Sequence, residues 1–156
     1  MNTPLPDSVP TLVIRHNELR VVLPGALVAQ VLSRFGAIAA VPGTEDWMLG
    51  LTVWRSLAVP VISLETLLAG RAADRPAQGR LVVCYPLPGR PAHEFFAVAA
   101  PDGVHTHSVD GAAGMTVIPA PLRADLIAGA LSLPDGAIGV IPDLNRLSEE
   151  FYKSDR

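Results

Sequence analysis

The sequence predicts a mainly β protein built from short strands, and three observations carry that reading. Runs of β-branched and apolar residues recur at spacings of roughly 8 to 12 residues and are separated by Gly/Pro turns. The 13 glycines and 15 prolines among 156 residues are spread without a period and leave little room for long helices. Hydrophobic residues make up 49% of the chain and charged residues only 17%, below the roughly 25% usual in soluble domains. A chain of this length and composition buries a core of its own and needs no metal or disulfide staple.

A polar, proline-bearing stretch over residues 1–10 reads as a flexible tail, and residues 11–153 as a single domain. Thr11 to Arg15 and Leu19 to Leu23 read as a hairpin around Asn17-Glu18. Residues 24–36 are ambiguous, because Leu27, Val28, Val31 and Leu32 suit one helix face, yet a strand ending at Ser33 buries them equally well. Thr44-Glu45-Asp46 before Trp47-Met48-Leu49 reads as an N-capped helical turn stopped by Gly50. Leu51 to Arg55 and Leu57 to Ser63 read as strands, with Pro60 implying an edge or a bulge because proline donates no ladder hydrogen bond. A short helix over Leu64 to Ala69 ends at Gly70, and Arg71 to Gly79, without a large apolar residue, is the best loop, near the middle of the chain.

Beyond that loop, Arg80 to Tyr85 and Glu94 to Ala99 read as strands around the turn at Pro88 to Pro91, followed by strands at Val104 to Val109, Thr116 to Ile118 and Gly136 to Ile141. Asp143 caps a final helix through Lys153, on which Leu144, Leu147 and Phe151 recur at helical spacing and face a β core. The pattern as a whole fits packed or closed sheets with a few short helices.

The net charge of −3, with Lys153 the only lysine, argues against a basic stripe for nucleic acid. The start lacks a cationic and apolar leader, and the longest uncharged run, Val21 to Ser33, is short of the roughly 18 residues of a membrane span. A cytoplasmic location without membrane insertion is therefore expected. Cys84, the only cysteine, rules out an intramolecular disulfide and reads as a small buried hydrophobe rather than a nucleophile. His105 and His107 share a strand face, but no third ligand stands at a recognisable spacing. His93-Glu94 fails as a zinc-helix motif because Ala97 replaces the second histidine, and Gly111 to Gly114 lacks the lysine of a phosphate loop. Glu45-Asp46 and Glu149-Glu150 read as a helix N-terminus and a solvated helix face. No catalytic, cofactor or metal site is expected, and the two alternatives are a small-molecule- or metal-binding barrel using the histidine pair and a hydrolase using Cys84.

The segment from Val41 to Leu64 resembles the signature of the CheW-like family: Val41-Pro42, then Gly50 opening a strand, Arg55 at the turn, and Val59-Pro60-Val61-Ile62 with Leu64 in the second strand. Val28 to Leu32, Phe96 to Val104 with Asp102, and Leu126 to Leu144 are similar to further family segments. Three residues depart from the pattern: Ser56 replaces a glycine, Ser63 an aspartate and Gln30 a glutamate. The resemblance implies two packed five-stranded β-barrel subdomains and a non-enzymatic adaptor that couples the cytoplasmic tips of methyl-accepting chemoreceptors to a CheA-type histidine kinase, through the kinase's regulatory domain, in chemotaxis or twitching motility. It further implies recruitment to membrane receptor arrays and contacts with other CheW-like domains. The partner-binding residues it implies are Val28, Gln30, Val31, Arg55, Ser56, Val59, Asp102 and Val104, with Pro42, Gly50 and Pro60 shaping turns and edges. The departures at Gln30, Ser56 and Ser63 imply altered contacts at that corner. Alternation along the strand puts Trp54 inward if Arg55 faces out.

Overall fold

The computed structural model describes residues 8–34, 36–71, 79–110, 114–119 and 121–153. Residues 1–7 of the expected tail, 72–78 of the expected loop and 111–113 of the glycine run lie outside the described residues. The first strand, β1 (Ser8–His16), takes in the last three residues assigned to the tail, and it turns at Asn17 into β2 (Leu19–Pro24). Asn17 has φ 52°, a left-handed value that asparagine tolerates better than most residues. Its side-chain amide donates to both oxygens of Glu65, at 2.8 and 3.0 Å, and so supplies hydrogen bonds to a carboxylate that is only 4% exposed.

The ambiguous segment resolves into a one-turn 3-10 helix over Gly25–Leu27 and then β3 (Val28–Leu32). Pairing decides it: β3 lies antiparallel to β6 (Arg80–Cys84), with Val31 opposite Val82 and a bulge between Val28 and Gln30. The helical turn expected at residues 44–49 shrinks to a single hydrogen-bonded turn, in which the Met48 amide donates to the Glu45 carbonyl at 3.0 Å. Thr44 Oγ1 donates back to the Val41 carbonyl at 2.9 Å, and β4 (Met48–Trp54) already begins at Met48, because antiparallel pairing with β5 (Leu57–Ile62) satisfies the backbone from there on. Gly50 is thus inside a strand rather than ending a helix. It has φ 150° at a bulge, and a Cβ built there would lie 2.3 Å from the Ala39 carbonyl oxygen. Only glycine admits that approach.

Ser63 caps α1 (Leu64–Ala69), its hydroxyl accepting from the Thr66 amide at 3.2 Å, and Gly70 ends the helix in the left-handed region. The second half supplies β7 (Phe96–Ala100), β8 (Val104–Asp110), the two-residue β9 (Met115–Thr116), β10 (Ile127–Ser132), β11 (Ile138–Pro142) and α2 (Leu144–Phe151). Strand β10 had no place among the sequence expectations, since its Ala-Gly-Ala centre has weak β propensity and is held by its partners on both sides. The Asp143 cap on α2 forms as expected, accepting from the Arg146 amide at 3.1 Å.

Two sheets result, a six-stranded one in the order β8-β1-β2-β11-β10-β9 and a five-stranded one in the order β3-β6-β7-β5-β4. They stand where the resemblance implied two five-stranded units. Membership does not follow the halves of the sequence. The middle of the chain, β3 to β7, makes one sheet, and both ends make the other, joined by the parallel pair Gly139–Arg20 and Val140–Val21. Pro60 is not on an edge strand, since β5 lies between β7 and β4; pairing with β7 starts only at Val61, so the proline precedes the stretch where a donor is needed.

The core follows from strands that are apolar on both faces. Along β6, Val82 and Cys84 face a large shared core between the sheets while Leu81 and Val83 face a second cluster within the five-stranded sheet. Along β1, Leu12 and Ile14 join the shared core and Val13 a third cluster with Val22, Leu131 and Leu133. Such strands read as continuous hydrophobic runs. Helix α2 adds Leu147, buried to 2%, with Leu144 and Phe151 packed beside it.

Gly50→Ala is expected to destabilise the protein by about 2 kcal/mol or more, because backbone must shift to admit the methyl group. Urea unfolding of the variant checks this, and an unchanged midpoint would contradict the close approach.

Candidate functional site

The residues singled out in the sequence divide between two surfaces. The first is a groove of about 410 Å³ between the sheets, walled by β1, β3 and β8 and lined by Pro10, Leu12, Val28, Val31, Thr106 and His107. Val28 and Val31 are half-buried and pack on the shared core, as does Val104 at the start of β8, where it pairs with Ile14. Valines from β3 and β8, 73 or more residues apart in sequence, thereby pack on one shared core. Asp102 is exposed in the β7–β8 turn and accepts from the Asn17 backbone amide, so it ties two turns together.

The second surface is the tip of the β4–β5 hairpin. Arg55 and Ser56 have φ 49° and 64°, the pair of positive values of a two-residue type I′ turn. Trp54 is 7% exposed while Arg55 is exposed, as strand alternation required. The turn nevertheless brings the guanidinium back over the indole, with Cζ 4.6 Å from the ring centroid, a cation–π contact. Trp54 Nε1 donates to Gln30 Oε1 at 2.9 Å, and its ring lies 5.0 Å from Phe95, which in turn lies 5.7 Å from Tyr85. The bulge in β3 breaks its alternation, so Gln30 joins the hairpin corner rather than the groove that holds Val28 and Val31.

Val59 belongs to neither surface. It is 0% exposed within the five-stranded sheet's own cluster, so the position expected to touch a partner has no surface to offer. Pro42 is exposed in the turn before β4. Sequence reasoning missed Phe95 as the neighbour of Trp54 and Tyr85 behind Phe95, and it missed Leu51 and Val53, which are 36% and 76% exposed on the outer face of β4. Because Thr52 and Trp54 between them are buried, alternation was present, but both faces carry apolar residues and the outer one gave no contrast.

The other titratable groups have structural roles. Burial pushes the Cys84 thiol far above its ordinary range, which leaves no thiolate at neutral pH. His105 and His107 lie opposite Val13 and Thr11 on β8, and among the described residues no three His, Cys, Asp or Glu side chains converge as a metal site. Glu150, expected on a solvated face, is instead engaged: Arg123 Nη1 donates to it at 3.1 Å and Lys153 Nζ at 3.3 Å, while Arg123 also holds Asp125 at 2.9 Å. The hydrogen bond from Arg123 is the main reason the Glu150 carboxyl titrates below its usual range, and a separate Arg123 hydrogen bond lowers Asp125.

With this geometry in view, comparison with known proteins gives a match to the family model described as the CheW-like domain, over residues 10–151. The chain belongs to the CheW-like family. Among solved structures it is similar to the scaffolding protein TtCheW from Thermoanaerobacter tengcongensis, with a TM-score of 0.71 at 17% identity over 92% of this chain and 90% of that one. The comparison with curated proteins finds no match. The departures from the family pattern now have physical readings. Ser63, 1% exposed, caps α1 as an aspartate would, without burying a charge. Gln30 is a neutral acceptor suited to the indole N–H of Trp54. Ser56 adopts a left-handed backbone that glycine adopts more cheaply.

Ser56→Gly should therefore stabilise this CheW-like domain by about 0.5–1 kcal/mol, read as a higher denaturation midpoint. Because the folded pKa of Glu150 is depressed, its contribution is complete above the unfolded glutamate range near about 4.3 and is lost as pH falls through the lower folded value. Glu150→Gln should accordingly flatten the acid limb of a stability–pH profile as pH falls below about 4.3; an identical limb in the variant would show that the Arg123 bond contributes nothing.

Proposed function

We propose that this CheW-like domain is a non-enzymatic adaptor that couples the cytoplasmic tips of methyl-accepting chemoreceptors to the regulatory domain of a CheA-type histidine kinase. The observation that carries this reading is a family match spanning nearly the whole fold, combined with separate apolar surfaces on one small protein. An adaptor must hold two partners at once, which requires surfaces that do not overlap. The inter-sheet groove with Leu12, Val28 and Val31 has the apolar lining that an amphipathic receptor helix fills, and Val104 packs on the core beneath the same sheets. The β4–β5 hairpin offers an edge strand with exposed Leu51 and Val53 and a positioned cation in Arg55, features suited to a second protein or another CheW-like domain.

On this reading Arg55 orients a partner across the hairpin, Gln30 and Trp54 hold its guanidinium in place, and Ser56 sets the turn. Asp102 ties two turns together. Among the described residues no helix is long and apolar enough to cross a membrane, so a location at receptor arrays would come from binding, with the domain itself in the cytoplasm.

The test is a titration of the full chain against a receptor-tip fragment and against the kinase regulatory domain. Val31→Asp should weaken the receptor fragment at least tenfold, since an unpaired charge would enter an apolar groove. Arg55→Glu should weaken one partner selectively and leave the circular dichroism spectrum unchanged. Wild-type protein that binds neither partner would overturn the adaptor reading.

A further inference from the structure

A further recess is distinct from both of these surfaces. It is a groove of about 700 Å³ between the turn that precedes β4 and the end of α2, in the size range of natural ligand sites. Trp47, Met48, Ile62, Phe96 and Phe151 supply its floor, and it shares no lining residue with the inter-sheet groove. The floor is a fixed aromatic assembly: the Trp47 and Phe151 rings stack at 5.2 Å, and Phe96 meets Phe151 edge-on at 5.5 Å. Its two walls are also fixed. The Trp47 carbonyl accepts from the Ser63 amide at 2.8 Å at the head of α1, and the end of α2 is held through Glu150 by Arg123.

The rim decides what such a floor would receive. On the α2 side, the cation Lys153 is already matched to Glu150 at 3.3 Å. On the other side, Glu45 lines the groove and Asp46 follows it; both are exposed, and neither side chain has an ion pair or hydrogen bond among the described residues. The groove thus presents an aromatic bed beside unmatched negative charge. Apolar side chains one helical turn apart would occupy the bed, and a lysine or arginine next to them would meet the carboxylates, with the aromatic faces adding cation–π attraction.

We infer that this groove is a third interaction surface, and that its occupant is a basic amphipathic helix of a partner protein. The inference stands independently of the receptor and kinase assignments, because it uses none of their residues. The occupant is recognised by its pattern, apolar residues at i and i+3 or i+4 flanked by cations, and an acidic helix of the same apolar pattern is rejected by Glu45 and Asp46.

The experiment titrates the full chain with a 14-residue helical peptide of leucine and lysine and with its twin carrying glutamate in place of lysine. Binding is followed by calorimetry and by tryptophan emission. The expected result is saturable one-to-one binding of the basic peptide with a shift in emission, and no binding of the acidic twin. Glu45→Lys should weaken the basic peptide at least tenfold, whereas Glu18→Lys, the same charge change at an exposed position on the β1–β2 turn, should leave it within twofold. Trp47→Phe should abolish the emission shift while calorimetric binding persists. Equal losses from Glu45→Lys and Glu18→Lys would reduce the effect to general charge attraction and overturn the inference. So would equal binding of the two peptides, an emission shift that survives Trp47→Phe, or self-association of the peptide-free protein that Trp47→Phe abolishes, which would make a second copy the occupant.

Discussion

The structure depends on the apolar core shared between the two sheets. Leu12, Ile14, Val21 and Leu23 from one sheet meet Val82, Cys84, Phe96 and Val98 from the other, all nearly or fully buried. At about 1.5–3 kcal/mol for each large side chain, this layer is the greatest single source of stability and the reason neither sheet stands alone. It explains why β6 and β7 carry unbroken apolar runs: each must satisfy its own sheet's cluster on one face and the shared core on the other. It also explains the topology. The chain leaves the first sheet after β2, builds the second from β3 to β7 and returns, so both termini are locked into one sheet by the β2–β11 pairing.

Packing two sheets on a common core leaves seams where their edges meet, and the seams are where this domain has surface to offer. The groove between β1, β3 and β8 is one such seam, and Val28 and Val31 belong to its half-buried lining. The recess beside α2 is different, since it lies between that helix, the turn before β4 and the five-stranded sheet. The inter-sheet groove is thus a by-product of the same constraint that stabilises the fold. The β4–β5 hairpin differs, because its tip projects beyond the core and its geometry is local: two left-handed residues, an indole tied to Gln30 and a guanidinium resting on it.

The family departures show how local chemistry can change while a role in the fold is kept. A buried N-cap is met by the Ser63 hydroxyl in place of a carboxylate, and a corner acceptor by the Gln30 amide in place of a charge. The first substitution avoids a buried charge, since Ser63 is 1% exposed, and the second removes a charge from the exposed corner at Gln30. The Ser56 turn retains its positive φ although serine is strained there, so the requirement for a type I′ hairpin outweighs the residue's own preference.

By itself the sequence determined the class of fold, the first hairpin, strands β4 to β8, both helices of regular length and the cap at Asp143, because hydrophobic runs, Gly/Pro turns and capping residues act over a few residues; the cap at Ser63 came from the structure. The motif from Val41 to Leu64 was legible for the same reason, and with it the family. Tertiary structure alone decided the rest. Met48 and Leu49 extend instead of coiling because β5 offers backbone partners, and Val28 to Leu32 is a strand because β6 does. Burial of Val59, the packing of Val28, Val31 and Val104 on one core, and the separation of Gln30 from Val28 and Val31 all depend on which strands pair and where β3 bulges. Those are long-range choices, set by the fit of whole faces against one another, and no window of neighbouring residues contains them.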